Sequence, residues 1–310
     1  MISCEATLRA NCIIQGPALS GTAAMTPWTD RSGRLSPLKI AVLFAALFPA
    51  VWIGSSFAVG SLGPLPFDAA ISETGKWAIR FLLLSLLITP LLRAYNWPRL
   101  IIVRRMIGLA ALAYGLLHFC VYLADQGFHL GHVFSEIAHR IYLTIGFVAL
   151  AGLAVLGATS FDGAVRRMGR RWKQLHRIVY GLAVLAIAHF FLQTKIDASE
   201  ATLMAGFFIL LMAYRLAIAH RLRFTAQLHL AVAVVSAILT AAVEFAWYDF
   251  ATGIDPLAVF SANFAFSEGL RPAPLILIAG LTLMTIGETL VLIRHAGGFL
   301  PILASSRSSE

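Results

Sequence analysis

Three of the nine histidines in this chain lie inside long apolar segments, at His118, His176 and His189. An ionisable side chain at membrane depth is costly, so residues of this kind face the interior of a helix bundle and commonly serve a function. A neutral imidazole is the usual protein ligand of a b-type haem iron. Because a lone intramembrane histidine is as often a hydrogen-bonded packing residue, the hypothesis of haem binding depends on how the three are placed together.

His118 and His189 are predicted to lie at the same depth. At about 1.5 Å per residue, His118 is about 20 Å along its helix from Arg105, and His189 is about 24 Å along its helix from Lys173. Both helices begin at cationic residues, so they run in the same direction through the membrane. Two imidazoles from facing helices at one level would complete the axial positions of a single haem near the outer side.

His176 is predicted near the cytoplasmic face, where it could bind a second haem. The third helix offers no histidine at that level, because Arg104 and Arg105 occupy it, so the second ligand of an inner haem stays open. The thirteen residues from His176 to His189 turn an ideal helix by about 220° beyond full turns. The two share one face only if the helix is irregular, for example near Gly181; otherwise they serve differently placed cofactors.

The elements that must position these histidines are membrane-spanning helices. The chain has 310 residues, of which 59% are hydrophobic and 13% charged, with a mean hydropathy of +0.81. Apolar runs of about 20 residues can cross a hydrocarbon core of about 30 Å, and the alternating pattern of a β-barrel is absent. We therefore predict an all-α polytopic membrane bundle of about eight transmembrane helices, at residues 37–60, 75–93, 105–124, 139–159, 173–193, 201–220, 225–250 and 273–294.

Lysines and arginines are concentrated in alternate loops, including residues 93–105 and 166–173. By the positive-inside rule these loops and both termini are cytoplasmic, in a bacterial inner (plasma) membrane. The net charge of +9 is therefore a topology signal that suits anionic membrane lipid or a flavin phosphate, and it is no indication of nucleic-acid binding. Since the longest external segment, 251–272, is too short for a catalytic domain, any soluble chemistry requires a partner.

The run from Trp172 to Tyr180, followed at His189, resembles the fifth-helix signature of ferric-reductase-like transmembrane domains. Other segments are similar to one branch of that superfamily, the MsrQ (YedZ) family of haem-binding membrane subunits. These segments are residues 75–92, with their Ile-Thr-Pro ending, 104–109, 117–118 and 142–146. The resemblance covers residues 37–223, which we predict as a six-helix haem-binding domain.

The resemblance places the haem-ligand histidines of the family on His118, His176 and His189. It implies one or two haems b, with FMN also associated with the family. It also implies an electron-transfer subunit, supplied by the quinone pool or a cytoplasmic flavin reductase. The recipient would be a periplasmic molybdenum-containing reductase of the MsrP type, which repairs methionine sulfoxide in exported proteins and carries the catalytic site.

Several features lie outside this resemblance. Arg80 is predicted at a depth where it could pair with a haem propionate or extend to the interface. Residues 1–36 are predicted as a disordered leader or an over-extended gene start with Met25 as an alternative beginning, 224–296 as two additional transmembrane helices, and 297–310 as a cytoplasmic tail. Glu244 and Glu288 in the added helices are expected to make polar contacts between helices or to lie at a water-exposed end, in preference to handling protons.

Two other functions remain open from the sequence. One is a self-contained ferric or quinone reductase of the same superfamily, although the chain has no glycine-rich dinucleotide-binding fingerprint. The other is a small-solute or proton transporter in which the histidines and Glu288 line a pathway. That function would favour an inverted hydropathy repeat with paired broken helices, a pattern that the sequence does not show.

Overall fold

The structure is a computed structural model that describes residues 35–94, 100–194, 197–265 and 269–305. Within these ranges the chain forms twelve α-helices: α1 (Pro37–Ala58), α2 (Pro66–Ala94), α3 (Ile101–Asp125), α4 (Leu130–His139), α5 (Ile141–Ala158), α6 (Asp162–Met168), α7 (Arg170–His176), α8 (Val179–Gln193), α9 (Ser199–Ala219), α10 (Ala226–Ala251), α11 (Pro256–Ala262) and α12 (Pro272–Ser305). Almost all of the predicted leader lies outside the described residues. The predicted tail is helical through Ser305.

Eight helical segments among the described residues are long and apolar enough to cross a membrane. This confirms the prediction of an all-α, multi-pass membrane bundle. The second span begins at Pro66, nine residues earlier than predicted, because its polar first turns belong to the helix and not to the preceding loop. Three short helices, α4, α6 and α11, lie in loops between spans and were not predicted.

The centre of the bundle is formed by α2 and α9. Half of the α9 span and 44% of the α2 span are buried, against 11% of α1, α3 and α5. Leu86 of α2 and Leu211 of α9 belong to one hydrophobic cluster with Ala111 of α3 and Ala183 of α8. Within this arrangement α3 packs against α2, and α8 packs against α5. These two pairs of helices carry the intramembrane histidines.

The fifth span is interrupted at Arg177 and Ile178, which separate α7 from α8. The backbone N–H groups of these two residues donate to the carbonyls of Gln174 and Leu175, each three residues earlier, at 3.2 and 3.1 Å. Such bonds tighten the turn relative to an α-helix and change the rotation of the residues beyond it. A helix irregularity, one of the two alternatives for the histidine spacing, is therefore present, but it precedes Gly181, which lies inside α8.

The C-terminal helices α10 and α12 pack against each other and against α9. At their predicted external ends, Glu244 of α10 is buried and its carboxylate accepts hydrogen bonds from Arg271 and Asn263, both at 2.8 Å. Burial alone would lower the pKa of Arg271, but the hydrogen bond and charge of Glu244 raise it overall, so the guanidinium of Arg271 stays charged. Glu244 thus makes the predicted contact between helices, whereas Glu288 is exposed.

Candidate functional site

The structure brings the rings of His118 of α3 and His189 of α8 next to each other in a T-shaped arrangement. Their ring centroids are 6.2 Å apart and their ring planes are inclined at 82°. Both rings are partly buried among helices that span the membrane. The two histidines predicted to share a depth therefore also share a position in the plane of the bundle.

Each ring is held by a hydrogen bond to the backbone of a neighbouring helix. Nδ1 of His118 lies 2.8 Å from the carbonyl oxygen of Ile71 in α2, and Nδ1 of His189 lies 2.7 Å from that of Tyr142 in α5. Because a carbonyl can only accept, Nδ1 must carry the proton in both rings. Nε2 then presents a free lone pair, and among the described residues neither Nε2 makes a hydrogen bond. This is the tautomer that binds a metal through Nε2.

A glycine lies beneath each ring, one helical turn beyond the accepting carbonyl. A Cβ added to Gly75 of α2 would lie 3.0 Å from Nδ1 of His118, and one added to Gly146 of α5 would lie 2.7 Å from Nδ1 of His189. Any side chain at Gly146 would overlap the ring, and one at Gly75 would crowd it. Both histidine rings therefore contact the backbone of a neighbouring helix, and the two local arrangements are alike.

The spacing of the two rings matches that of two imidazoles on opposite sides of one metal ion. A metal–imidazole bond of about 2 Å, with the ring centre about 1 Å beyond the nitrogen, separates the centroids of two such rings by about 6 Å. No group of three His, Cys, Asp or Glu side chains that could hold a metal is found in the described part of the chain. Two protein ligands suit haem, because the porphyrin supplies the other ligands of the iron.

His176 lies apart from this pair, at the end of α7. Its ring stacks on Trp172 at a centroid distance of 3.9 Å, and its Nε2 lies 3.4 Å from the hydroxyl oxygen of Ser160. No other histidine ring contacts it among the described residues. Ser160 also lines a cavity of about 340 Å³, beside which Arg105 and Asp162 form an ion pair at 2.5 Å. A partner for His176 is therefore not found among the histidines of the described chain.

Arg80 is not brought to the histidine pair. Its guanidinium lies 3.5 Å from the carboxylate of Glu200 at the start of α9, and it covers the ring of Trp77 at 4.9 Å. Five residues separate Arg80 from Gly75, which places the two about 140° apart around α2. The face of α2 that carries Arg80 therefore points away from His118.

Sequence reasoning missed three residues whose contacts bear on function. Gly75 and Gly146 were noted only as parts of motifs, although each is placed four residues after a carbonyl that a histidine uses. Arg215 was overlooked inside the sixth predicted span, where it donates to the hydroxyl of Tyr180 and the carbonyl of Leu86. Its presence among apolar residues was the available signal, because a cation at that depth needs partners.

Comparison with known proteins shows which family the chain resembles. The profile of the family described as ferric reductase like transmembrane component matches residues 74–187, a segment that ends two residues before His189. The chain is similar to the protein-methionine-sulfoxide reductase heme-binding subunit MsrQ of Rhodospirillum rubrum, with 43% identity over 196 residues, 63% of this chain and 92% of that protein. Proteins of the same name from Brucella ovis and Brucella melitensis biotype 2 are 38% identical over 181 residues, 58% of this chain and 82% of theirs. No solved structure matches the chain.

Proposed function

The chain belongs to the MsrQ family of haem-binding membrane subunits, and from that premise we propose that it binds haem b between His118 and His189. The electrons that this haem carries pass to a periplasmic methionine sulfoxide reductase of the MsrP type. The observation that carries the proposal is the pair of histidine rings whose centroids are 6.2 Å apart, each with its Nδ1 hydrogen-bonded to a backbone carbonyl. Bound haem supplies one-electron chemistry, and the residues described below hold and orient it.

The carbonyls of Ile71 and Tyr142 fix the tautomer and the orientation of the two imidazoles. A hydrogen bond from Nδ1–H to a carbonyl also raises the basicity of the opposite nitrogen, which strengthens its bond to iron. Gly75 and Gly146 allow the rings to approach these carbonyls. The ligands are therefore preorganised by backbone atoms, which side-chain motion does not displace.

The position of the pair supports transfer to an external partner. Ile71 lies five residues after the start of α2, and Tyr142 is the second residue of α5. Both helix starts are at the predicted periplasmic face, so the haem would lie close to that face. Catalysis itself is assigned to the partner.

Electrons enter, in this proposal, from the quinone pool or from a cytoplasmic flavin reductase. The region around His176 is proposed as a second cofactor site near the cytoplasmic face, for an inner haem or for FMN. Its support is the cluster of cations and the 340 Å³ cavity that borders Ser160, a contact of His176. The pairing of Arg80 with a haem propionate stays a prediction. In the structure the guanidinium of Arg80 contacts Glu200 instead.

The ligand assignment is tested by replacing each histidine in turn and recording optical spectra of the purified protein. His118→Ala and His189→Ala should each abolish the same low-spin haem, since each removes one axial ligand of one iron. The matched control is His139→Ala, because His139 is exposed and bonds only within its own helix α4. A full low-spin spectrum in either of the first two variants would refute the pair.

The role as a subunit is tested in reconstituted membranes. Chemically reduced haem should be reoxidised when the MsrP-type partner is added with methionine sulfoxide, and His189→Ala should stop this reaction. The control omits only the partner. Equally fast sulfoxide-dependent reoxidation without the partner would mean that the membrane protein itself reduces the substrate.

A further inference from the structure

The connection between α3 and α5 contains a helix, α4, that is apolar along one side and polar along the other. The apolar side follows the helical repeat of three and four residues and consists of Leu130, Val133, Phe134 and Ile137. The opposite side carries three exposed polar residues, His132, Ser135 and His139. This contrast belongs to a helix that is not one of the eight membrane spans.

The helix bundle covers only part of the apolar side of α4. Val133 and Ile137 are buried, and α4 packs against α5. Leu130 and Phe134 lie on the same side of the helix, yet each is 54% exposed. Phe128, just before α4, is 65% exposed. Because a group of exposed apolar side chains is unfavourable in water, the open part of this side requires a covering surface.

The open part of α4 continues the lipid-facing surface of the spans beside it. The ring of Phe134 contacts that of Phe147 in α5 at a centroid distance of 6.5 Å, and Phe147 contacts Phe119 of α3 at 6.0 Å. Phe147 is itself 37% exposed, on a span of which only 11% is buried. An exposed apolar residue within a span contacts lipid, so the row of rings leads from the lipid-facing surface to α4.

The connections of α4 place it at the membrane surface. Asp125 ends α3, and Arg140 alone joins α4 to α5, so both ends of α4 lie close to the external ends of spans. The guanidinium of Arg140 donates to the hydroxyl of Tyr142 at 3.0 Å and forms an ion pair with Glu136. Arginine and tyrosine are typical of the membrane–water interface. Ten residues of helix measure about 15 Å, which is half of the hydrocarbon thickness, so α4 is too short to cross the membrane.

We infer that α4 is an amphipathic helix embedded in the membrane–water interface at the predicted periplasmic face. The acyl chains of the lipid cover Leu130 and Phe134, and the polar side with His132 faces water. The bilayer is thus the partner of the open apolar side. This inference goes beyond the proposed function and does not depend on it.

The lipid contact lies next to the proposed haem site. The hydroxyl of Thr144 donates to the carbonyl of Ile137 at 2.5 Å, which ties α4 to the first turn of α5. In that turn, Tyr142 supplies the carbonyl that holds His189. An α4 anchored in lipid therefore braces the external end of the helix that orients this histidine.

The inference is tested with nitroxide spin labels on single cysteines of the full-length protein, in nanodiscs of phosphatidylethanolamine and phosphatidylglycerol. Oxygen concentrates in lipid, whereas nickel(II) ethylenediaminediacetate stays in water. Labels at Leu130→Cys and Phe134→Cys should therefore show a several-fold higher ratio of oxygen to nickel collision rates than a label at His132→Cys. His132→Cys is the matched control, because it is exposed about 160° around the same helix from both test positions.

Three outcomes would overturn the inference. The first is an equal collision ratio at all three positions. The second is a label at Phe134→Cys that becomes shielded from the nickel complex only when the MsrP-type partner is added, because a protein would then cover this side. The third is strong spin–spin coupling between labels at Phe134→Cys, which would identify a second copy of the chain as the cover. Leu130→Cys decides the question if Phe134→Cys fails to fold, and colourless protein with the expected ratios would contradict haem binding alone.

Discussion

At the scale of single residues, each proposed ligand depends on a carbonyl and a glycine one turn later. In a helix the carbonyl of residue i already accepts from the N–H of residue i+4, and its second lone pair is open to another donor. A side chain at i+4 would cover that lone pair. Gly75 and Gly146 leave the carbonyls of Ile71 and Tyr142 open, so an imidazole can reach each one.

This dependence predicts that Gly146→Ala displaces the ring of His189. The new Cβ would lie 2.7 Å from Nδ1, closer than such contacts occur, so haem content of the purified protein should fall by more than half. Gly75→Ala should have the smaller effect, because its Cβ would lie 3.0 Å from Nδ1 of His118. Pyridine haemochrome assays per mole of protein measure both.

The control for these variants is Gly181→Ala. Gly181 lies inside α8, and an added Cβ meets nothing within 4 Å. Alanine there should stabilise the helix by up to about 1 kcal/mol and leave the haem unchanged. Equal haem content in Gly146→Ala and Gly181→Ala would show that the ring of His189 does not need the close approach.

The proximity of His118 and His189 was predictable from the sequence, and the glycines beneath them were not. Depth follows from counting residues from a cationic helix end, because the rise per residue is constant. Which residue of a neighbouring helix touches a ring depends on how each helix is rotated about its own axis. A lipid-facing surface is as apolar as a buried one, so the sequence of α2 or α5 does not reveal that rotation.

At the scale of elements, the long helices follow from apolar run length, and the short ones do not. A segment such as α4 buries only Val133 and Ile137 and exposes Phe134, so its composition is that of a loop with some apolar residues. Helix α11 begins at Pro256, after Asp255 accepts a hydrogen bond from the N–H of Leu257. A capping residue of this kind can be recognised once the helix is known. Such residues are so frequent in loops that they do not by themselves predict a helix.

An ion pair between Glu244 of α10 and Arg271, the residue before α12, joins the ends of these two helices. Glu244→Gln would leave the partly buried guanidinium without its counter-charge, which should destabilise the packing of α10 and α12 by about 1–3 kcal/mol after allowance for the exposed fraction of Arg271. The midpoint of thermal unfolding in detergent should therefore fall. Asp249→Asn is the control, because Asp249 is exposed on the same helix. An equal midpoint in both variants would argue that the pair contributes little.

At the scale of the whole molecule, the added C-terminal helices lie outside the matched segment, residues 74–187, and pack against α9. The hydroxyl of Tyr214 in α9 makes a hydrogen bond of 2.9 Å with Nδ1 of His229 in α10. Tyr214 is the residue before Arg215. The extension thus holds the rotation of the helix that carries Arg215 toward α2 and α8. The two added spans could be predicted from hydropathy, whereas this support of α9 depends on contacts that only the fold defines.

The orientation of the bundle remains a prediction from charge, and it can be read by labelling single cysteines in a background without Cys4, Cys12 and Cys120. Gly163→Cys, in the arginine-rich loop, should resist an impermeant reagent added to intact spheroplasts. Gly253→Cys, between α10 and α11, should react, since that position is exposed and open. Strong external labelling at Gly163→Cys would show that the orientation is the opposite of the predicted one, and the proposed direction of electron flow would then be wrong.

If both rings bind one haem iron, as proposed, the angle of 82° between the two imidazole planes would have a magnetic consequence. When axial ring planes are perpendicular, neither of the two iron d orbitals that interact with the ring π systems is favoured, so the two stay close in energy. A ferric centre of this kind gives a strongly anisotropic low-spin electron paramagnetic resonance spectrum, with one very large g value. Parallel planes would separate the orbitals and give a rhombic spectrum with three well-resolved features. A frozen-solution electron paramagnetic resonance spectrum of the oxidised protein therefore tests whether the backbone carbonyls hold the two ring planes perpendicular to each other.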